Sequence, residues 1–139
     1  MANPFPFSAG DVLTAANLNA IGESTSWTPT YSGTTGGTPT VTTNRARYFE
    51  INGVAFAFLN IYMSSVGSAT GTLQLTLPSG VPAVAANRLV GSGTEVLTTF
   101  DTLALYSTST TQAAINFYDG STALVAPRVL MFSMAWEIG

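Results

Sequence analysis

Residues 45–63 read RARYFEINGVAFAFLNIYM, and this stretch decides the fold. Asn52-Gly53 is the strongest short hairpin signal a sequence carries, because both central residues of a type I′ turn need positive φ. It separates two runs, 45–51 and 54–63, rich in the aromatic and branched residues that favour strands. The second run is apolar on both of its faces. Val54, Phe56, Phe58 and Tyr62 fall on one, and Ala55, Ala57, Leu59, Ile61 and Met63 on the other. A half-exposed antiparallel strand alternates apolar with polar, so this one is expected to be covered twice. Either it lies between the core and an N-terminal helix, or the face of Phe56, Phe58 and Tyr62 lines an interface between subunits.

Working outward, strand signals continue in both directions. Residues 40–43 and a short aromatic run at 27–31, interrupted by Pro29, precede the hairpin, with SGTTGGTP at 32–39 expected to be a flexible turn region. After it, TLQLTL at 72–77 alternates cleanly, Leu73, Leu75 and Leu77 inward and the Thr and Gln residues outward. Pro78-Ser79-Gly80 ends that strand. A short strand is expected at 87–91, a hairpin from 103–108 to 113–118, and a last strand at 128–138 with Leu130, Phe132, Met134, Trp136 and Ile138 on one face. Eight or nine strands with regular turn signals predict a mainly β fold, an antiparallel β-sandwich or jelly-roll-like module.

Ahead of that module the period changes. Pro4 and Pro6 keep the start extended, with Phe5 and Phe7 between and after them. Thr14 is a good N-cap for a helix over about 15–21. Leu13 and Leu18 stand where a hydrophobic staple needs them. Gly22 is a natural stop. Leu18 and Ile21 share a face. Two helical turns are not stable alone, so this helix must pack on something. The expected division is therefore 1–25 as an arm and anchoring helix and 26–139 as the β module. Phe5, Phe7, Val12, Leu13, Leu18 and Ile21 are the candidate partner-binding residues.

Composition narrows function by exclusion. The chain has 139 residues, of which only 8% are charged, and a net charge of −3; typical domains carry ~25% charged residues. Its outward positions must be Thr, Ser, Asn and Gly, a surface poorly protected against self-association. It contains no Cys, His or Lys. That removes disulfides and thiolate chemistry, the commonest general base and metal ligand, and Schiff-base and P-loop chemistry. Four arginines, Arg45, Arg47, Arg88 and Arg128, make no basic footprint for nucleic acid. MANPFPF lacks the features of a secretory signal, and 54–63 is too short for a membrane-spanning helix. Synthesis in a cytosol and no membrane partner are expected. Among seven carboxylates the one candidate acid/base pair is Glu95 with Asp101. Both lie in a Gly/Thr-rich turn region where carboxylates are expected to be solvated, so no catalytic residue, metal site or cofactor is assigned. Tyr106, Phe117 and Tyr118 near expected loops are candidates for stacking on sugar. Arg45 and Arg47 share a face and are expected at a solvated strand edge, the alternative being a bridge to Glu50 or to an acidic patch on a neighbour.

Five segments, in order, carry a resemblance. FPFSAGDVLTAANLNAIGE, SWTPTYSG, ARYFEINGVAFAFLNIYMSS, GTLQLTLPSGVP and FSMAWEIG span the chain. Together they resemble tailed-bacteriophage virion surface proteins of the capsid-decoration, head-fibre and tail-fibre type. In the first segment the likeness rests on Phe7, Gly10, Val12, Leu13, Thr14, Ala15, Ala16, Leu18, Asn19 and Ile21. The resemblance implies a non-enzymatic structural protein of a virion, homotrimeric and on the particle exterior. Its N-terminal segment would attach it to a major capsid or tail protein. One β module without a shaft or repeat sequence is expected of a compact decoration (cement) protein or head fibre. The alternative is a tail-fibre or receptor-binding module that recognises host surface glycan.

Overall fold

The structure is a computed structural model that describes residues 23–139. Among the described residues nine strands form one antiparallel sheet: β1 (Thr25–Ser26), β2 (Tyr31–Thr35), β3 (Thr40–Ile51), β4 (Val54–Ser65), β5 (Thr70–Thr76), β6 (Leu89–Glu95), β7 (Thr102–Ser107), β8 (Gln112–Phe117) and β9 (Arg128–Glu137). Their spatial order is β1-β3-β4-β9-β6-β7-β8-β5-β2. The fold is thus mainly β and antiparallel, as the sequence predicts. In place of two separate sheets there is one continuous sheet, curled so that its two halves face each other. The predicted helix lies outside the described residues. The first strand, Thr25–Ser26, straddles the boundary that the sequence predicts between arm and module.

The curl is held by the chain between the sheet's two ends. Residues 27–30 cross from the β3 edge to β5. Trp27 donates its backbone N–H to the Ala46 carbonyl at 3.4 Å and its indole N–H to the Thr76 carbonyl at 3.4 Å. Tyr31 on β2 bonds through its hydroxyl to Thr43 on β3 at 2.9 Å. Residues 27–30, expected as a strand, are this strap. Pro29 cannot donate to a ladder. The expected turn region instead supplies β2, which pairs with β5 from Tyr31 opposite Leu75 to Thr35 opposite Thr70. Strands 40–43 and 45–51 are one strand, β3, whose register shifts between Thr43 and Arg45.

The β3–β4 hairpin turns as predicted, Asn52 and Gly53 both taking positive φ (53° and 81°). Inside the curl, alternate residues of every long strand meet. Leu59, Ile61 and Met63 of β4, Leu73 and Leu75 of β5, Leu103 of β7, Ile115 of β8 and Leu130 and Trp136 of β9 are buried together. The Trp136 indole N–H is satisfied by the Val81 carbonyl at 3.0 Å. Strand β6 contributes almost nothing to this core beyond Leu89. Its inward positions are Gly91 and Gly93, paired with Met134 and Phe132 of β9. A Cβ at Gly93 would run into the Met131 carbonyl and the Phe132 side chain. The bulky residues of β9 therefore fill the space in front of β6, and only glycine lets the two backbones pair there.

Candidate functional site

The pleat that buries Ala55, Ala57, Leu59, Ile61 and Met63 sends the other side of β4 outward. Phe58 is 52% exposed and Phe56 36%, and Tyr62 is half-buried. Among the described residues one face is core and nothing covers the other; the N-terminal segment expected to lie over it is outside them. The register shows why this matters. Reading straight across the outer face, Phe49 of β3 stands opposite Phe56 of β4, Phe56 opposite Ala135 of β9, Ala135 opposite Val90 of β6, and Val90 opposite Tyr106 of β7. Five strands thus contribute one apolar row to the exterior. Phe49 stacks on Phe56 with ring centroids 5.2 Å apart and on Phe58 at 6.3 Å. Val90, at 72% exposure, and Met131, at 46%, extend the patch. Single exposed apolar residues are ordinary, but a contiguous exposed row marks an interaction surface.

The row is bounded on its β3 side by cations. Arg45 and Arg47 line a groove with Ser24, Phe49 and Phe58. Arg47 stands opposite Phe58 and opposite Ser26 of β1. Its Nε is buried and has no hydrogen-bond partner among the described residues. Neither arginine forms an ion pair among the described residues. Arg47 is half-buried in a groove, so the expected solvated strand edge holds only for Arg45.

A second arrangement, at one end of the curl, was not foreseen. Glu95 faces inward at the end of β6 and is fully buried, which corrects the expectation of a solvated carboxylate. The chain turns around its side chain. Its carboxylate accepts backbone N–H groups from Leu97 (2.7 Å), Thr98 (3.1 Å), Thr99 (2.7 Å) and Phe100 (3.2 Å), and the hydroxyls of Thr98 and Thr99. Arg128 approaches it at 3.4 Å and lies over the Phe117 ring. Burial pushes the Glu95 carboxyl up, but the N–H donors of Thr99, Leu97 and Thr98 outweigh it and hold the group down at about 2. With every oxygen engaged and no exposure, Glu95 has no access to a substrate and does not form an acid/base pair with Asp101. Its effect is to hold loop 96–101 in one shape that presents Leu97 and Phe100 to solvent, Phe100 with a positive φ of 59°. Tyr118, 82% exposed, belongs to the same end, its N–H bonded to the Thr102 carbonyl.

The remaining expected residues fall as follows. Phe5, Phe7, Val12, Leu13, Leu18 and Ile21 lie outside the described residues. Phe56, Phe58 and Tyr62 share the open face. Of the three sugar-stacking candidates Phe117 is core, while Tyr106 and Tyr118 are exposed on different parts of the surface. Among the described residues no three acidic side chains gather as metal ligands would. No family model, curated protein or solved structure matches the chain.

Proposed function

We propose that this chain is a non-enzymatic structural protein of a tailed-bacteriophage particle. Its β module is displayed on the exterior, as a capsid decoration or head-fibre protein, in homotrimers. The N-terminal arm attaches it to a major capsid or tail protein. The observation that carries the reading is the outer apolar row from Phe49 to Tyr106. A chain with 8% charged residues and a contiguous apolar exterior is built to have that exterior covered. The ordered phage-like segments supply the identity of the assembly. A protein that binds only the assembled shell adds its binding free energy to that state, which is how such a module stabilises a particle.

The reading is tested by counting. Quantitative mass spectrometry of purified particles should give a copy number comparable with that of the major capsid protein; a small fraction of it would sink the decoration reading. Serine at Phe5 and Phe7 in the full chain should abolish incorporation into particles while leaving the module folded. Normal incorporation would refute anchoring by the arm. The alternative, a tail-fibre module recognising host glycan, is favoured by one observation. Loop 96–101, held by Glu95, offers Leu97 and Phe100 in a fixed geometry, with Tyr118 at the same end. Glycan-array binding lost on substitution of Phe100 and Tyr118 would establish that alternative.

A further inference from the structure

The apolar half of the outer face nearest β1 has an occupant within reach in its own chain. We propose that residues 13–21 lie across β3 and β4 in cis, with Leu13, Leu18 and Ile21 packed on Phe49, Phe56 and Phe58. Three observations converge on this. The first is where the described chain starts. Continuing the β1–β3 register by one pair puts Ser24 opposite Phe49, and Ser24 lines the groove with Phe49, Phe58 and Arg47. Ile21 is three residues earlier, so a fully extended chain keeps it within about 10 Å of that groove. Leu18 is held within about 20 Å by the same limit. The tether therefore permits Ile21 and Leu18 to reach the face, and residues 1–22 lie outside the described chain.

The second observation is complementarity. Strands in a sheet are about 4.8 Å apart, so β3, β4 and β9 together present roughly 10 Å of width. A helix of seven residues is about 10 Å long. The sequence places Leu13 and Leu18 at staple positions and Ile21 on the face of Leu18. One apolar helix stripe would therefore cover the stacked phenyl trio of β3 and β4 and reach β9.

The third observation is a polar one. Arg47 has a buried Nε with no partner among the described residues, in the groove where the chain arrives. The last turn of a helix leaves carbonyls without intrahelical partners, and arginine is a favoured donor to them. A helix ending at Gly22 that folds back over the face would offer carbonyls 18–21 to that Nε. The face then becomes composite. Phe56 and Phe58 act through the helix that they hold, and Val90, Met131 and Tyr106 remain for contacts between copies. The inference does not depend on the phage reading.

The chain has no cysteine, so an introduced pair reports without interference. The full-length Leu18→Cys, Phe58→Cys protein, oxidised under mild conditions without particles present, should form an intramolecular disulfide. It would run as a monomer on non-reducing gels with its thiols consumed. The matched Asn19→Cys, Phe58→Cys pair has the same reach but points away, and should oxidise about tenfold more slowly, since cysteines whose Cβ vectors diverge do not bridge. A disulfide-linked dimer or larger species means that another copy covers the face, and overturns the proposal. Equal rates for the two pairs, or free thiols in both, also overturn it. Should either double variant fail to fold, Leu18→Asp alone in the full chain provides a second reading. It should raise the fluorescence of an apolar-surface dye severalfold; an unchanged signal refutes the packing. Both experiments use purified protein, so their failure leaves the particle assignment to be judged by copy number.

Discussion

Replacing Glu95 by Gln tests the most consequential local structure in the module. In the fold this carboxyl titrates at about 2, against an ordinary value of 4.5. At about 1.4 kcal/mol per pH unit, that drop corresponds to about 3 kcal/mol of stability at neutral pH. The direction follows from proton binding. Between pH 4.5 and 2 the unfolded chain takes up a proton at Glu95 that the folded chain refuses. Stability is therefore complete above about pH 4.5 and is lost as pH falls through 2. Glutamine removes the charge. It also turns one acceptor into an N–H₂ group facing the N–H donors of loop 96–101, and leaves Arg128 without its counter-ion. Two-state melts followed by Trp27 and Trp136 fluorescence should show the variant about 3 kcal/mol less stable at pH 7. That is a midpoint lower by about 10 °C for a chain of this size. Repeated from pH 6 to 2, the wild type should lose stability steeply below pH 4.5, and the variant should lack that part of the slope. Asp119, held low first by the Ser121 hydroxyl, adds its own acid dependence equally to both proteins and cancels in the difference. A variant within about 1 kcal/mol of wild type at pH 7, or one with the same acid slope, would refute the account of Glu95.

Gly93→Ala should cost about 3 kcal/mol or more, since the added methyl meets the β9 backbone at Met131 and the Phe132 side chain. A melt shifted by less than about 1 kcal/mol would show that β6 and β9 can separate. Burial holds the Tyr31 phenol up at about 12, against a smaller lowering by its bond to Thr43. Stability should therefore fall as pH rises from about 10 to 12, and Tyr31→Phe should remove that loss while costing about 1 kcal/mol at pH 7 through the missing hydrogen bond. Val90→Asp changes a side chain that is mostly in solvent within the single chain. It should alter the melt by no more than about 0.5 kcal/mol yet, under the proposed trimeric assembly, lower the mass in light-scattering chromatography to that of a monomer. An unchanged mass would remove this part of the outer face from the copy–copy contact.

How much of this was legible depends on which atoms carry the specificity. Where side chains do, the sequence is readable. The alternation of Leu73 and Leu75, the run from Leu130 to Trp136 and the Asn52-Gly53 turn each landed where expected, because alternation and positive φ are properties of the residues themselves. Strand β6 escaped in part, because its inward positions are Gly91 and Gly93. The apolar signal that would mark them sits on the neighbouring strand, in Met134 and Phe132. Strand β2 escaped for a related reason. Its Ser, Gly and Thr residues resemble turn material, and their pairing is decided by Leu73 and Leu75 across the ladder. Glu95 escaped most completely. The groups that hold it are mainly backbone N–H donors of loop 96–101, and a backbone donor has no letter in the sequence.

The two apolar faces of β4 were legible as composition but not as environment. The sequence states that Phe56 and Phe58 are apolar, while only the register reveals that Phe49, Ala135, Val90 and Tyr106 extend them into a row on the exterior. A sequence selected only for a stable monomer would place Thr at such positions, as β5 does at Thr72 and Thr76 beside Gln74. The chain therefore retains apolar residues where the isolated module gains nothing from them. That choice becomes intelligible if the proposed coverings of this face, by residues 13–21 and by a second copy, are part of what the sequence specifies.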